Sequence, residues 1–187
     1  MQLENMTDEI KEKLGKVHII TGNGKGKTTS GMGMVVRALG RGLKVKIVQL
    51  FKRDTGEQYF FSDLKSKGIP VEYVQFQPLH PYFKKYTPEN FESLKVDLKE
   101  FWDRELGDID RYDEVFIDEV GPGLNWKVLT EEMVIDLVKR KPEHLELIMT
   151  GRDFPQSLYE KVDYVSEVNL VKHPYEKGIL ARKGVEY

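Results

Sequence analysis

Cysteine is absent from the 187-residue chain. That excludes a disulfide framework, a zinc–thiolate centre and a cysteine nucleophile. Long apolar runs are absent too; none approaches the roughly 20 residues that cross a bilayer as a helix. Nor is there an excess of one charge: 29 Lys and Arg stand against 31 Asp and Glu, a formal charge of −2 with His neutral. Such a balance gives no support to a nucleic-acid partner, which ordinarily meets a strongly basic face. The opening segment MQLENMTDEIKEKLGK mixes acids with bases and lacks the continuous apolar stretch of a secretory signal. What remains, 32% charged and 40% hydrophobic, is the composition expected of a soluble cytoplasmic chain. It is long enough to bury one core without a metal or disulfide staple.

Short β-rich runs alternate with longer helical patterns. The runs cover residues 17–20, 45–50, 71–74, 114–117, 145–149 and 164–166, several of them nearly all apolar, as in strands covered on both faces. Helical spacing is predicted over 31–39, 57–66, 88–106 and 131–140, with a short helix after Pro155. Thr87 and Thr130 stand as N-caps, Pro88 at a first turn, and Lys139-Arg140-Lys141 before Pro142 at a C-terminus. This alternation predicts a single α/β domain over 1–187 with a mostly parallel sheet and a ligand site at the carboxyl ends of the strands. Leu3, Met6, Ile10 and Leu14 share one helical face ahead of the first strand. Residues 1–14 therefore read either as a helix packed outside the 17–187 core or as a flap or dimer contact.

The strongest chemical signal follows the first strand. Thr21-Gly22-Asn23-Gly24-Lys25-Gly26-Lys27-Thr28-Thr29 joins that strand to a helix, the context of a phosphate-binding P-loop. Glycines let backbone N–H groups turn inward, the helix N-terminus adds positive potential, Lys27 reaches phosphate oxygens, and Thr28 offers a hydroxyl to Mg²⁺. Threonine stands at position 21, where the general pattern has glycine. A second acidic site, Asp118-Glu119, ends the apolar strand Val115-Phe116-Ile117. One carboxylate there is suited to orienting a metal or its water, the other to binding metal or acting as a base. Thr150-Gly151-Arg152 ends another strand, where the arginine reaches a phosphate or pairs with a surface acid. His18, His80, His144 and His173 show no metal spacing. These residues alone leave a P-loop ATPase or kinase-like enzyme, with Glu119 activating water or a hydroxyl, as an alternative.

Several blocks together carry a resemblance. TGNGKGKTT, VKIVQLFK followed by Gly56-Glu57, VFIDE, and the stretch from Met149-Thr150-Gly151-Arg152 to Gly184-Val185-Glu186-Tyr187 are similar to the P-loop ATP:corrinoid adenosyltransferases, over about residues 17–187. The resemblance implies a six-stranded sheet in a P-loop NTPase-like fold, often as a homodimer, with the N-terminal segment able to cover the site. It implies that Co(I) of a reduced corrinoid attacks C5′ of ATP and that inorganic triphosphate leaves. By the same resemblance Gly22, Asn23, Gly24, Lys25, Gly26, Lys27, Thr28, Thr29 and Arg37 contact the nucleotide, Arg37 at the adenine end. Lys27 and Glu119 are catalytic, and Thr28, Glu119 and Asp118 hold Mg²⁺. A reducing flavoprotein is a possible partner. The family's G-F-T-W-E-T-like stretch facing the corrinoid is replaced here by residues 77–87. Tyr82, Phe83 and Tyr86 stand there, with two readings: a ring against the corrinoid, or rings sealing the base of the 88–106 helix.

Overall fold

The computed structural model describes residues 9–81 and 84–186. Six strands, β1 (Val17–Thr21), β2 (Val45–Leu50), β3 (Val71–Phe76), β4 (Glu114–Asp118), β5 (Glu146–Thr150) and β6 (Tyr164–Glu167), form one sheet in the order β3-β2-β4-β5-β1-β6. Every pairing is parallel, so all carboxyl ends lie along one edge. Side-chain alternation splits the interior into two cores. On one face Ile20, Val45, Ile47, Phe116 and Ile148 pack under α1 (Lys27–Leu39) and α2 (Gly56–Ser66) through Met32, Val35, Ala38 and Phe61. On the other, Val48, Leu50, Val115, Ile117, Leu147 and Met149 pack under α3 (Pro88–Leu106), α4 (Val120–Asn125), α5 (Glu131–Arg140) and α6 (Gln156–Tyr159). The period of two along each strand is what fills both layers.

The helix ends follow the expected chemistry. Thr87 Oγ1 accepts from Asn90 N at 3.3 Å and Thr130 Oγ1 from Met133 N at 3.3 Å, each relieving an orphan donor. Two differences from the sequence reading matter for the site. Helix α1 starts at Lys27 rather than at 31, so the helix N-terminus is itself part of the glycine loop. Helix α4, which contains Gly121-Pro122-Gly123, is not among the helices read from the sequence; Pro122 is accommodated because it lies in the first turn. Ahead of β1, residues 9–11 form a helical turn and Ile10 and Leu14 pack against the α1-side core. Leu3 and Met6 lie outside the described residues.

Candidate functional site

A cleft of about 970 Å³ opens at the carboxyl edge of the sheet, walled by the loops after β1, β2, β3, β4 and β5 and by the C-terminal segment. Phe51, Glu119 and Asp153 line it, and all three hold left-handed backbone, with φ of 59°, 67° and 51°. Non-glycine residues in that region cost about 1–3 kcal/mol each and persist where the surroundings over-determine them, often at functional sites.

The glycine loop is shaped from both sides. Gly26, the N-cap of α1, has φ 116°, which a side chain resists. Gly24 N donates to Val168 O at 2.7 Å, and a Cβ on Gly24 would meet that same oxygen at 2.7 Å. The segment after β6 therefore presses the loop into its curve, and only glycine fits. Asn23 through Thr29 all face the cleft; Gly22 sits behind them, with φ 98°. Lys27 Nζ donates to Gly24 O at 2.8 Å, curled over its own loop. Its pKa lies below the ordinary lysine value because of burial and the nearby Arg152 and Lys52 cations, opposed by Glu119 and Asp118.

Beside the loop lies a polar node. Asp118 is fully buried. Its Oδ1 accepts from Thr28 Oγ1 at 3.0 Å and Thr150 Oγ1 at 2.5 Å, and its Oδ2 from Gln49 Nε2 at 3.0 Å and Lys52 Nζ at 2.7 Å. Burial works against its charge, but the Lys52 ammonium and the hydrogen bonds hold the carboxyl below the usual aspartate value. Gln49 is fixed in turn: its Oε1 accepts from Thr55 Oγ1 at 3.2 Å, Tyr73 Oη at 2.5 Å and Gln75 Nε2 at 3.1 Å. The set is a connected, satisfied network of the kind that fixes geometry. Glu119 points into the cleft and pairs with Lys52 at 3.1 Å. No cluster of three or more His, Asp or Glu suited to a metal cage occurs among the described residues. Two carboxylates and a hydroxyl match Mg²⁺, which prefers oxygen donors and usually binds through one or two carboxylates completed by water and phosphate. The Lys52 ammonium already stands among these oxygens in the place of a cation.

Another part of the cleft lining is aromatic. His80 packs edge-on to Phe51 (centroids 5.0 Å) and to Trp126 (5.5 Å), and its Nε2 lies 3.2 Å from Pro122 O. Burial pushes its pKa below the ordinary histidine value, with the Pro122 carbonyl acting against the shift. Trp126, 42% exposed, presents its ring to the cleft. Across the mouth runs the C-terminal segment, tied by Glu186 to Lys25 at 2.9 Å and by Lys183 to Asp54 at 3.2 Å.

The structure thus brings Lys27, Thr28, Asp118, Glu119 and Arg152 together. It does not bring Arg37 to them: that residue lies in the exposed last turn of α1, ten residues or about 15 Å of helix from Lys27. Tyr82 and Phe83 lie outside the described residues. Tyr86 does not line the cleft; its hydroxyl donates to Leu79 O at 2.6 Å and its ring packs edgewise on Phe91 at the base of α3. The sequence reading passed over Lys52, Gln49 and Trp126 and set His80 aside. The only local signals were a glutamine in an apolar strand and a lysine just beyond its end.

A parallel sheet whose first strand runs through a Gly-Lys-Thr loop into a buried-face helix, beside an Asp-Glu strand end, has the P-loop NTPase-like fold. Within that class the comparison with known proteins is specific. Residues 13–187 match the family described as ATP:corrinoid adenosyltransferase BtuR/CobO/CobP. The chain is 32% identical to the corrinoid adenosyltransferase of Pseudomonas aeruginosa, covering 96% of this chain and 87% of that protein. It is 33% identical to the corrinoid adenosyltransferase of Escherichia coli K12 and 33% to corrinoid adenosyltransferase CobA of Salmonella typhimurium, each match covering 96% of this chain and 89% of the relative. The chain belongs to the ATP:corrinoid adenosyltransferase family.

Proposed function

We propose that this cleft transfers the 5′-deoxyadenosyl group of ATP to the Co(I) centre of a reduced corrinoid. Cobalt supplies the electron pair for the new Co–C5′ bond, the C5′–O bond breaks, and triphosphate leaves with the electron pair of that C5′–O bond. No general base is needed, because the nucleophile bears no proton. The task left to the protein is to hold reactants in line and to meet negative charge on the leaving triphosphate. Lys27 and the amides of residues 22–29 meet that charge, with Arg152 beside them. Thr28, Glu119 and Asp118 are assigned to Mg²⁺, which supplies further charge neutralisation when bound.

One observation carries the reading. A cationic phosphate cradle and an aromatic cluster of Phe51, His80 and Trp126 line one and the same cleft. Phosphoryl transfer to water gives that cluster no role; a large planar acceptor does. An aromatic lining also keeps water from a strongly reducing cobalt centre. The reading carries with it a cytoplasmic homodimer and a reductant, such as a flavoprotein, that delivers Co(I). The test is anaerobic incubation with ATP, Mg²⁺ and chemically reduced cobalamin, followed through the cobalt absorption bands. Enzyme-dependent conversion of Co(I) to an organocobalt spectrum is expected. A Co(I) spectrum left unchanged by the enzyme while ATP is hydrolysed would point to the phosphoryl alternative.

A further inference from the structure

We propose that Lys52 is a positioning residue that serves as a resident counter-cation: it holds Thr28, Asp118 and Glu119 in the nucleotide-free enzyme and yields their oxygens to a divalent cation only when polyphosphate is present. The inference rests on the assignment of those three residues to the metal.

The geometry is specific. Lys52 Nζ lies 2.6 Å from Thr28 Oγ1, 2.7 Å from Asp118 Oδ2 and 3.1 Å from Glu119 Oε1. An ammonium has three N–H donors, and all three find an acceptor here. Those acceptors come from three separate elements: the first turn of α1, the end of β4 and the N-cap of α4. They are also the oxygens a small cation would take at about 2.0–2.1 Å. A divalent ion held by all three would have to sit nearly where Lys52 Nζ sits, within about 3 Å of the same oxygens, and the two cations cannot occupy one place. Metal entry therefore requires Lys52 to leave.

Leaving has a cost set by the surroundings. Arg152 and Lys52 already lower the pKa of Lys27, so a released ammonium gains nothing by moving toward the loop of the empty enzyme. A polyphosphate in that loop reverses the balance, since its oxygens accept charge-assisted hydrogen bonds from all three cations. Lys52 then moves from carboxylates to phosphate, and the carboxylates become free for the metal. Lys52 and residues 23–29 line the same cleft, and a lysine's flexible four-carbon stem allows its ammonium to exchange partners within it. Metal uptake thus becomes conditional on nucleotide, without any change of fold.

Mn²⁺ alone, followed by loss of its free EPR signal, tests this without turnover. The wild-type chain is expected to take up Mn²⁺ at least tenfold more weakly than Lys52→Met when no nucleotide is present. Adding Asp118→Asn to Lys52→Met should cancel that gain. Mn²⁺ should also raise the melting temperature of Lys52→Met well above its effect on wild type, a rescue that a merely structural lysine would not produce. Equal or weaker Mn²⁺ uptake by Lys52→Met overturns the proposal. If that variant does not fold, wild type decides alone: one Mn²⁺ bound at micromolar concentration without nucleotide overturns it, and weak uptake supports it. The metal assignment fails separately, if Asp118→Asn and wild type hold Mn²⁺ equally in the presence of ATP.

Discussion

Replacing Glu114 with glutamine should flatten the pH dependence of stability above neutrality. Glu114 opens β4 directly beside Glu146 on β5. The two carboxyls have been driven apart. Glu146 stays charged: burial opposes it, but it pairs with His18 and accepts from the backbone N–H groups of Gly15 and Lys16. Glu114 is 5% exposed and its Oε1 has no hydrogen-bond partner. Burial and the Glu146 charge push its pKa from 4.5 to about 8, against a smaller pull from Arg37. A carboxyl raised in the fold keeps its proton there after the unfolded chain has lost its own. Stability is therefore intact below about 4.5 and declines as pH rises toward 8. At about 1.4 kcal/mol for each pH unit the whole interval amounts to about 5 kcal/mol, an upper bound that water entry and relaxation reduce. The useful window lies above 6.5, because His80, held neutral by burial, destabilises the fold only below its ordinary value. Between pH 6.5 and 7.5 wild type should lose about 1 kcal/mol in urea unfolding, and Glu114→Gln close to none. Identical slopes for the two proteins would refute the reasoning.

Lys27→Ala should lower turnover on the order of a hundredfold or more, since a donor aimed at developing charge is worth about 3–4 kcal/mol; near-normal turnover would remove Lys27 from the chemistry. Glu119→Ala should shift the Mg²⁺ requirement to higher concentration, measured as initial rate against Mg²⁺ at saturating ATP; an unaltered titration would show that Glu119 does not serve the metal. Of the two tryptophans, Trp102 is 2% exposed and Trp126 42%, so corrinoid binding should quench the emission of Trp126. Trp126→Phe should abolish most of that quenching and raise the corrinoid KM while ATP affinity stays within about threefold, a difference below 1 kcal/mol. Quenching that survives the substitution would place the corrinoid elsewhere.

What the sequence disclosed follows from how local each feature is. The strands were legible because a sheet covered on both faces needs mostly apolar runs, and Val45–Leu50 and Glu114–Asp118 supply them with two polar residues each, Lys46 and Gln49 inside the first and Glu114 and Asp118 at the ends of the second. The P-loop residues were legible because strand, glycine loop and Gly-Lys-Thr must be contiguous to bind phosphate at all. Helix α4 was not, because glycine and proline are turn residues by propensity and only its packing between β5 and the cleft makes it helical. Lys52 has the local appearance of any solvated lysine; its meaning arises when β2 lies next to β4 and brings it to Asp118. The aromatic cluster joins His80 to Trp126 across 46 positions, and the closing segment joins Lys25 to Glu186 across the length of the chain. Neither pairing leaves a periodic signal. Arg37 came from resemblance alone, and the helix carries it away from the cleft.

The fate of the ATP phosphates tests the central claim most directly. With reduced corrinoid and Mg²⁺ under anaerobic conditions, phosphorus NMR should show intact triphosphate appearing in step with the Co(I) consumed, one for one. ADP and orthophosphate in that proportion, with no triphosphate, would contradict adenosyl transfer in this cleft.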